Sequence, residues 1–333
     1  MGCQGGFLIV TASSRLPVEP AVAGAAIAPL AIKRGCPPAS VSIIIPARDE
    51  ALALPGCLQS LLNQDYGASM RVIVVDNGSS DGTPDAAREW KGKFEAAGHE
   101  LMVLRLEKGN KPAALNAGDA ASIGSCRIYL DADTELSPNC VSSIVATLNR
   151  GSAVGLCCAR IQVAPARSWV TRRYARVWSR LPWVRDDVIG AGMYAVSAVG
   201  RRRWGDFPDL IADDMWAQAQ FLRHERQVIP DASFVVRLPE GFRNLVNVRT
   251  RWVRGNREVA RQVNGNRGRL AFPLPGRIKA LLARPSLWVD LPLYFMVNAC
   301  ALWRAKRRET IGTTHWERGR PLKAEDGAAP PPQ

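Results

Sequence analysis

Histidine is scarce in this sequence, and its cysteines lack the spacing of a zinc site. The three histidines, His99, His224 and His315, are far apart, and no C-x-x-C pair occurs among the eight cysteines. Zinc sites are built from closely spaced cysteine and histidine ligands. The sequence therefore argues against a zinc site, and its cysteines are predicted to be free thiols in a reducing compartment.

Two familiar phosphate-binding loops are also missing. The pattern G-x-x-x-x-G-K-[ST] does not occur, and no G-x-G-x-x-G follows the first predicted strand. These loops bind phosphates in P-loop NTPases and in Rossmann dinucleotide-binding folds. Both classes of protein are disfavoured, so a nucleotide would have to be bound by other residues.

Acidic residues are outnumbered by basic ones. The 333-residue chain has 44 Lys and Arg against 30 Asp and Glu, which gives a formal net charge of +14. Such an excess suits nucleic acid, an anionic membrane surface or a phosphate-bearing substrate. Charge alone does not choose among these partners.

The chain from residue 41 to residue 131 alternates short apolar runs with helical patterns. The predicted strands are 41–46, 71–76, 101–106 and 126–131, and the predicted helices are 49–64, 83–97 and 111–122. This alternation indicates parallel βαβ units and an open α/β sheet with both faces covered. Residues 1–39, rich in Ala, Gly and Pro, are predicted to form a flexible leader.

Carboxylates follow two of the predicted strands. Asp76 ends the second strand, and Asp131 and Asp133 follow the fourth with one residue between them. A single aspartate after a strand is often a loop or cap residue, but ligands of open α/β sheets bind beyond the carboxyl ends of strands. The D-x-D pair suits Mg²⁺ or Mn²⁺, which keep coordination positions open for phosphates. The two strand ends together favour a ligand crevice.

Three further segments each have a functional and a purely structural interpretation. Lys111 opens an Ala-rich helix, where it would either meet phosphate or stay solvated. Asp213 and Asp214 precede a helical run, so they either cap the helix or include a general base. Arg251 and Trp252 belong to a basic segment that suits a diphosphate or a stacked sugar, or is a solvated helix face.

Six segments occur in the order found in the family 2 glycosyltransferases, and the chain resembles that family from residue 41 to about residue 258. The segments are VSIIIPARDE, VIVVDNGSSDGT, GNKPAALNAG, YLDADTEL, IADDMW and RTRW. The resemblance implies an α/β fold of GT-A type, with a nucleotide-binding, mostly parallel sheet flanked by helices. The catalytic domain would span residues 40–260.

The resemblance also implies a role for each candidate residue. The nucleotide and its sugar would be lined by Pro46, Ala47, Arg48, Glu50, Asp76, Lys111 and Asp131. The metal, Mg²⁺ or Mn²⁺, would be bound by Asp133 with Asp131, and Asp214 would be the general base. The acceptor or the diphosphate would be met by Asp213, Arg251 and Trp252.

The activity implied by this resemblance is metal-dependent transfer of a sugar with inversion at the anomeric carbon. The donor would be a nucleotide-diphosphate sugar, UDP-linked in keeping with the family. The acceptor would be a hydroxyl of a saccharide or lipid, in the synthesis of a cell envelope polysaccharide or a glycolipid.

One position departs from the family pattern. The glutamine of the motif Q-x-x-R-W falls at Val248, whose side chain cannot donate amide hydrogen bonds. Because the full motif accompanies processive synthases in this family, we expect transfer of one or a few sugars rather than polymerisation.

The C-terminal part of the chain contains a long hydrophobic stretch, 287–303. It has 17 residues, basic residues flank both its ends, and a spanning helix needs about 20 apolar residues. We expect an amphipathic helix, in a helical region 261–312, that lies on an anionic membrane surface rather than inside a core. The protein would then work at the cytoplasmic face of the cell membrane, or in the cytoplasm, and residues 313–333 would be a disordered tail.

Two other functions are left open by the residues. A metal-dependent nucleotidyltransferase would need a glycine-rich basic signature near the first strand, of which PARDE is a poor version. A nucleic-acid-binding protein would use the arginines as phosphate contacts with steep salt dependence. That function leaves the ordered carboxylates unexplained, so no nucleic-acid partner is expected.

Overall fold

The computed structural model describes residues 41–107, 110–149, 153–263 and 284–311. The predicted leader, 1–39, and the predicted tail, 313–333, lie outside these residues, as does most of the segment between 263 and 284. Six cysteines are within the described residues, all are free, and five of them are buried. The prediction of free thiols is confirmed for these six.

The described residues contain one mixed sheet. Its strands are β1 Val41–Ala47, β2 Met70–Asn77, β3 Glu100–Leu106, β4 Cys126–Leu130, β5 Glu135–Leu136, β6 Leu156–Val163, β7 Met193–Ser197 and β8 Arg226–Val236. Across the sheet the order is β3-β2-β1-β4-β7-β6-β8-β5.

Helices cover the sheet and extend beyond it. The helices are α1 Leu54–Leu62, α2 Thr83–Arg88, α3 Lys91–Ala96, α4 Lys111–Ala120, α5 Cys140–Asn149, α6 Trp169–Trp178, α7 Pro182–Arg185, α8 Ala198–Arg201, α9 Asp213–Ala219, α10 Gly241–Gln262 and α11 Leu291–Ile311.

The first four strands form the parallel βαβ units that the sequence predicts. β1 pairs in parallel with both β2 and β4, and β2 pairs in parallel with β3. The apolar runs of β1, β2 and β4 are buried, as expected for parallel strands covered on both faces, whereas most of the edge strand β3 is half-buried. The single predicted helix 83–97 is instead two helices, α2 and α3, with the chain turning at the buried Trp90.

The second half of the sheet is mixed rather than parallel. β7 runs antiparallel to both of its neighbours, β4 and β6. β8 runs parallel to β6 but antiparallel to the short edge strand β5. The prediction of a mostly parallel sheet therefore describes β1 to β4 well and is corrected in the second half, where the sequence pattern is less regular.

Strand register brings the ends of β1, β2 and β3 to one edge of the sheet. Ala47 lies beside Asp76, which lies beside Arg105. Helix α4 packs closely on β1, since a Cβ added to Gly118 would collide with the side chain of Ile44. This close packing fixes the start of α4, and therefore Lys111, near the carboxyl ends of the strands.

A second hydrophobic cluster joins α6, α10 and α11 beside the sheet. Tyr174 of α6 and Tyr294 of α11 stack with ring centroids 5.2 Å apart, and Val297 is completely buried between the helices. Arg173 and Arg176 bind the buried carboxylate of Asp290 at 2.7 and 3.3 Å. The inner face of α11 is thus a core element.

The predicted hydrophobic segment 287–303 is a short 3-10 turn, Pro285–Leu287, followed by α11. The helix begins at Leu291 and continues past the predicted end to Ile311. Among the described residues, no helix is both long enough and apolar enough to cross a bilayer.

Candidate active site

Asp76 lies at the carboxyl end of β2 and is completely buried. Its Oδ1 accepts a hydrogen bond from the backbone N–H of Ser79 at 3.1 Å. Its Oδ2 has no hydrogen-bond donor among the described residues, and the Nε of Arg105 is 3.4 Å away. A buried carboxylate oxygen without a donor is costly unless a ligand supplies one. Asp76 therefore offers an acceptor at the edge of the sheet.

The loop after β1 is held against the turn after β2. The backbone N–H of Asp49 donates to Ser79 Oγ at 3.0 Å, and that of Glu50 donates to Thr83 Oγ1 at 2.8 Å. Asp49 adopts a positive φ of 51°, a conformation that a non-glycine residue adopts only when its surroundings enforce it. These bonds hold Arg48 and Glu50 on the same edge of the sheet as Asp76.

Lys111 joins two of the candidate carboxylates. Its Nζ lies 3.0 Å from Asp131 Oδ1 and 3.2 Å from Asp213 Oδ1. The helix that it begins is capped by Asn110, whose side chain accepts from the N–H of Ala113 at 3.2 Å. Burial disfavours the ammonium, but the negative charges of Asp131, Asp213 and Asp214 outweigh burial and raise the pKa of Lys111. Lys111 is therefore the cation of a carboxylate cluster.

Asp131 and Asp133 lie in the turn that follows β4. The backbone N–H of Asp131 donates to the carbonyl of Gly192 at 2.8 Å, and its own carbonyl accepts from Thr134 at 3.1 Å. Arg237 Nη1 donates to the carbonyl of Asp133 at 3.0 Å. Burial, followed by the charge of Asp131, raises the pKa of the Asp133 carboxyl. A cation bound here would stabilise the ionised Asp133 carboxylate, and so counteract both its burial and the repulsion from Asp131.

The donor set at this turn fits Mg²⁺ or Mn²⁺ better than an ion that needs a closed protein cage. No group of three or more His, Cys, Asp or Glu that could hold a metal is found within the described ranges. Mg²⁺ is usually bound through one or two carboxylates, with water and substrate phosphates as the other ligands. Asp133 and Asp131 are oxygen donors of this kind.

Asp213 and Asp214 are the first two residues of α9, which has Ala212 as its N-cap. The capping interpretation is therefore wrong for Asp213, whose carboxylate accepts from Tyr194 Oη at 3.4 Å and pairs with Lys111. Burial, and after it the charge of Asp213, raises the pKa of Asp214 to about 7. A carboxyl with this pKa can take a proton at neutral pH.

Part of the chain matches a known protein family. Residues 42–204 match the profile described as Glycosyl transferase family 2. This segment is similar to the family 2 glycosyltransferases. It contains Asp76, Lys111, Asp131 and Asp133, whereas the family 2 match ends before Asp214.

Two curated relatives illustrate how far the similarity extends. The probable glycosyltransferase YdaM of Bacillus subtilis is 25% identical over 233 residues, which are 66% of this chain and 56% of the relative. The glycosyltransferase AglE of Haloferax volcanii is 34% identical over 117 residues, which are 35% of this chain and 37% of the relative. The chain thus covers between 37% and 56% of the length of these two relatives.

A solved structure has a similar fold. The mannosyltransferase PcManGT from Pyrobaculum calidifontis, solved in complex with GDP-Man and Mn²⁺, matches with a TM-score of 0.53 and 21% identity. The match covers 83% of this chain and 81% of that chain. At this identity the likeness establishes the fold alone. The predicted GT-A type of α/β fold is thereby confirmed, with a sheet that is mixed rather than mostly parallel.

Helix α10 supports the start of α9 from outside the family 2 match. A Cβ on Gly255 would come within 2.9 Å of Ala212 Cβ. Arg251 and Trp252 lie one turn earlier on the same helix. Trp252 belongs to the second hydrophobic cluster, with its ring centroid 6.2 Å from that of Trp178. The ring of Trp252 therefore packs among the helices beside the sheet.

Three residues of the site have no role in the sequence analysis. Gly190 has a φ of +66°, and a Cβ there would collide with Asp214. Gly192 has a φ of +115° and accepts the bond from Asp131. Tyr194 bonds Asp213, and all three line a cavity of about 10 Å³ together with Pro46, Lys111, Asp131 and Asp213. In the sequence, the close spacing of Gly190 and Gly192 before β7 is the feature that could have indicated this part of the site.

Proposed function

We propose that the chain is an inverting, metal-dependent glycosyltransferase that moves a sugar from a nucleotide-diphosphate sugar, UDP-linked, to a hydroxyl of a saccharide or lipid acceptor. The observation that carries this proposal is the cluster of Lys111, Asp131, Asp213 and Asp214 at the sheet edge, in which one carboxyl has a pKa of about 7. The match of residues 42–204 to family 2 supports it.

The donor would be bound by the first half of the sheet edge. Asp76 Oδ2, which has no hydrogen-bond donor among the described residues, would accept an N–H of the nucleotide base, beside Pro46, Ala47, Arg48 and Glu50. Asp133, with Asp131, would hold Mg²⁺ or Mn²⁺. When bound, the ion would supply positive charge against the diphosphate. The Mn²⁺ in the solved complex of PcManGT supports this choice of ion.

Catalysis would depend on Asp214. The acceptor hydroxyl becomes a good nucleophile when Asp214 takes its proton, and the oxygen then forms a bond to the anomeric carbon as the bond to the diphosphate breaks. A single displacement of this kind inverts the anomeric configuration. Two cationic side chains, those of Lys111 and Arg251, would stabilise the negative charge that develops on the diphosphate leaving group. Arg251 would do so on the side where the acceptor binds.

The test is a calorimetric titration with UDP-sugars and GDP-sugars, with Mn²⁺, with Mg²⁺ and without metal. We expect metal-dependent binding of one nucleotide class, and Asp133→Ala should weaken it by about tenfold or more because that carboxylate is lost. Asp206→Asn, a change at an exposed carboxylate outside the site, is the matched control. Binding that is equal in Asp133→Ala and independent of metal would contradict the proposal.

We also propose that the outer face of α11 lies on an anionic membrane surface, where a lipid acceptor would be found. Apolar side chains on this face and just before the helix are exposed: Trp288 by 54%, Phe295 by 50%, Leu302 by 48% and Trp303 by 64%. The adjoining Lys306 and Arg307 are exposed as well. Apolar side chains beside basic ones match the chemistry of a lipid surface. Binding of the protein to phosphatidylglycerol vesicles tests whether this face contacts a membrane.

A further inference from the structure

A well-formed cavity in the described part of the structure lies away from the carboxylate cluster. It has a volume of about 560 Å³ and lies between β6, the start of β8 and the segment around α7. Four arginines line it, with Asp186 as the single carboxylate among its lining residues: Arg160, Arg185, Arg223 and Arg226. It shares no lining residue with the cavity formed by Pro46, Lys111 and Asp131. The arginine cavity is therefore a separate site with positive charge.

Arg226 is the buried member of this set. Its side chain is only 4% exposed, and its Nη2 lies 3.3 Å from Asp187 Oδ2. Its Nε and Nη1 have no hydrogen-bond partner among the described residues. Burial lowers the pKa of Arg226. A guanidinium that is buried in a cavity wall and whose own donors are not all satisfied is stabilised when an anion in the cavity adds negative charge beside it.

The neighbouring groups hold this guanidinium in place. Asp187 is 3% exposed and binds Arg223 at 2.8 Å as well as Arg226. Arg223 also donates from Nη2 to the carbonyl of Asp186 at 2.5 Å. One buried carboxylate is thus shared by two arginines. The positive charge of Arg160 and Arg185, both exposed at the cavity, is added to that of this pair.

We propose that the arginine cavity binds a small phosphate-bearing anion, such as a phosphate ester or a diphosphate. Guanidinium groups match phosphate oxygens in geometry and charge, and several of them converge here. A volume of about 560 Å³ is in the usual range for small-molecule sites, roughly 300 to 1,000 Å³. An extended nucleic acid needs a long basic surface instead. The site is independent of the glycosyl transfer proposed above.

The experiment is a calorimetric titration of the full chain with inorganic pyrophosphate in EDTA, at constant ionic strength. Wild type should bind, and the double variant Arg160→Gln/Arg185→Gln should bind about tenfold more weakly, because two charge-assisted contacts are lost. Both changes are at exposed side chains, so folding is retained. Arg202→Gln, at an exposed arginine outside the cavity, should bind like wild type.

The Asp133→Ala variant separates this site from the donor site. Unchanged pyrophosphate binding in that variant, with metal-dependent nucleotide binding lost, is the expected result. No binding by wild type overturns the proposal, as does binding that Asp133→Ala changes and Arg160→Gln/Arg185→Gln does not. If phosphatidylglycerol vesicles bind through Arg160 and Arg185 but pyrophosphate does not, the arginines serve lipid headgroups and the small-molecule site is wrong.

Discussion

Among the described residues, those up to 149 and those from 153 onwards form two regions that are built differently and contribute different chemistry. The first region has parallel strands, of which the central ones have buried apolar runs, and its carboxylates stand at strand ends. The second has an antiparallel strand, a second hydrophobic cluster of helices and an exposed apolar helix face. Asp76, Asp131 and Asp133 come from the first region, and Asp213 and Asp214 come from the second.

This difference indicates that donor binding and proton transfer are separable. The first region holds the residues proposed to bind the nucleotide and the metal, whereas the second supplies the proposed base. Lys111 is the link between them, since its ammonium contacts Asp131 of the first region and Asp213 of the second. Variants in the two regions should therefore fail in different ways.

The largest effect is expected from Asp214→Asn. The amide cannot take the acceptor proton, so kcat should fall by a factor on the order of 10² to 10⁴. Donor affinity should remain close to that of wild type, because Asp214 is not among the proposed donor contacts. Turnover with a nucleotide-sugar donor and calorimetric donor binding, measured on one preparation, check both parts.

Asp206→Asn is the matched control for that variant, since it replaces an exposed carboxylate outside the cluster. It should leave kcat unchanged. Retained turnover in Asp214→Asn would refute the assignment of the base. A loss of donor binding as large as the loss of turnover would show that the two regions do not divide the work in this way.

The first region could be predicted from the sequence more completely than the second. Its strands appear as short apolar runs ended by Pro46, Asp76 and Asp131, and because the strands are parallel, these ends must meet at one edge. The pairing of Lys111 with Asp213 joins residues 102 positions apart (213 − 111), and no local pattern encodes such a contact.

The second region shows why local patterns fail there. Asp213 was open to interpretation as a cap, but tertiary contacts with Tyr194 and Lys111 use its carboxylate instead. Gly190 is required because Asp214 packs against it, a reason that exists only in the folded protein. The unused donors of Arg226 likewise depend on burial between distant strands.

A smaller effect is expected from pH. Because Asp214 has a pKa of about 7 and must be ionised to act as a base, kcat should fall about tenfold per pH unit below that value.

The raised pKa of Asp214 also affects stability, since between pH 4 and pH 7 the folded protein keeps a proton on this carboxyl that the unfolded chain has lost. The free energy of unfolding should therefore decrease as pH rises from about 4 to about 7.

Asp214→Asn provides the control for this stability effect. Chemical denaturation at several pH values should show a weaker decrease between pH 4 and pH 7 in the variant than in wild type. An identical pH dependence of unfolding in the two proteins would mean that the pKa of Asp214 is not raised by its surroundings. A flat kcat profile through pH 6 would contradict its role as the base.

The smallest effect is expected at the outer face of α11, the exposed apolar helix face of the second region. The double variant Phe295→Ser/Leu302→Ser removes two half-exposed apolar side chains, so binding to phosphatidylglycerol vesicles should weaken by about tenfold, in line with the apolar area lost. Val199→Ser, at a site exposed by 67% on α8, is the control and should bind like wild type.

Since the inner face of α11 is untouched, the thermal unfolding of the double variant should match that of wild type. Equal flotation of the double variant and wild type with these vesicles would exclude this face as the membrane contact, while leaving the donor site and the base unaffected.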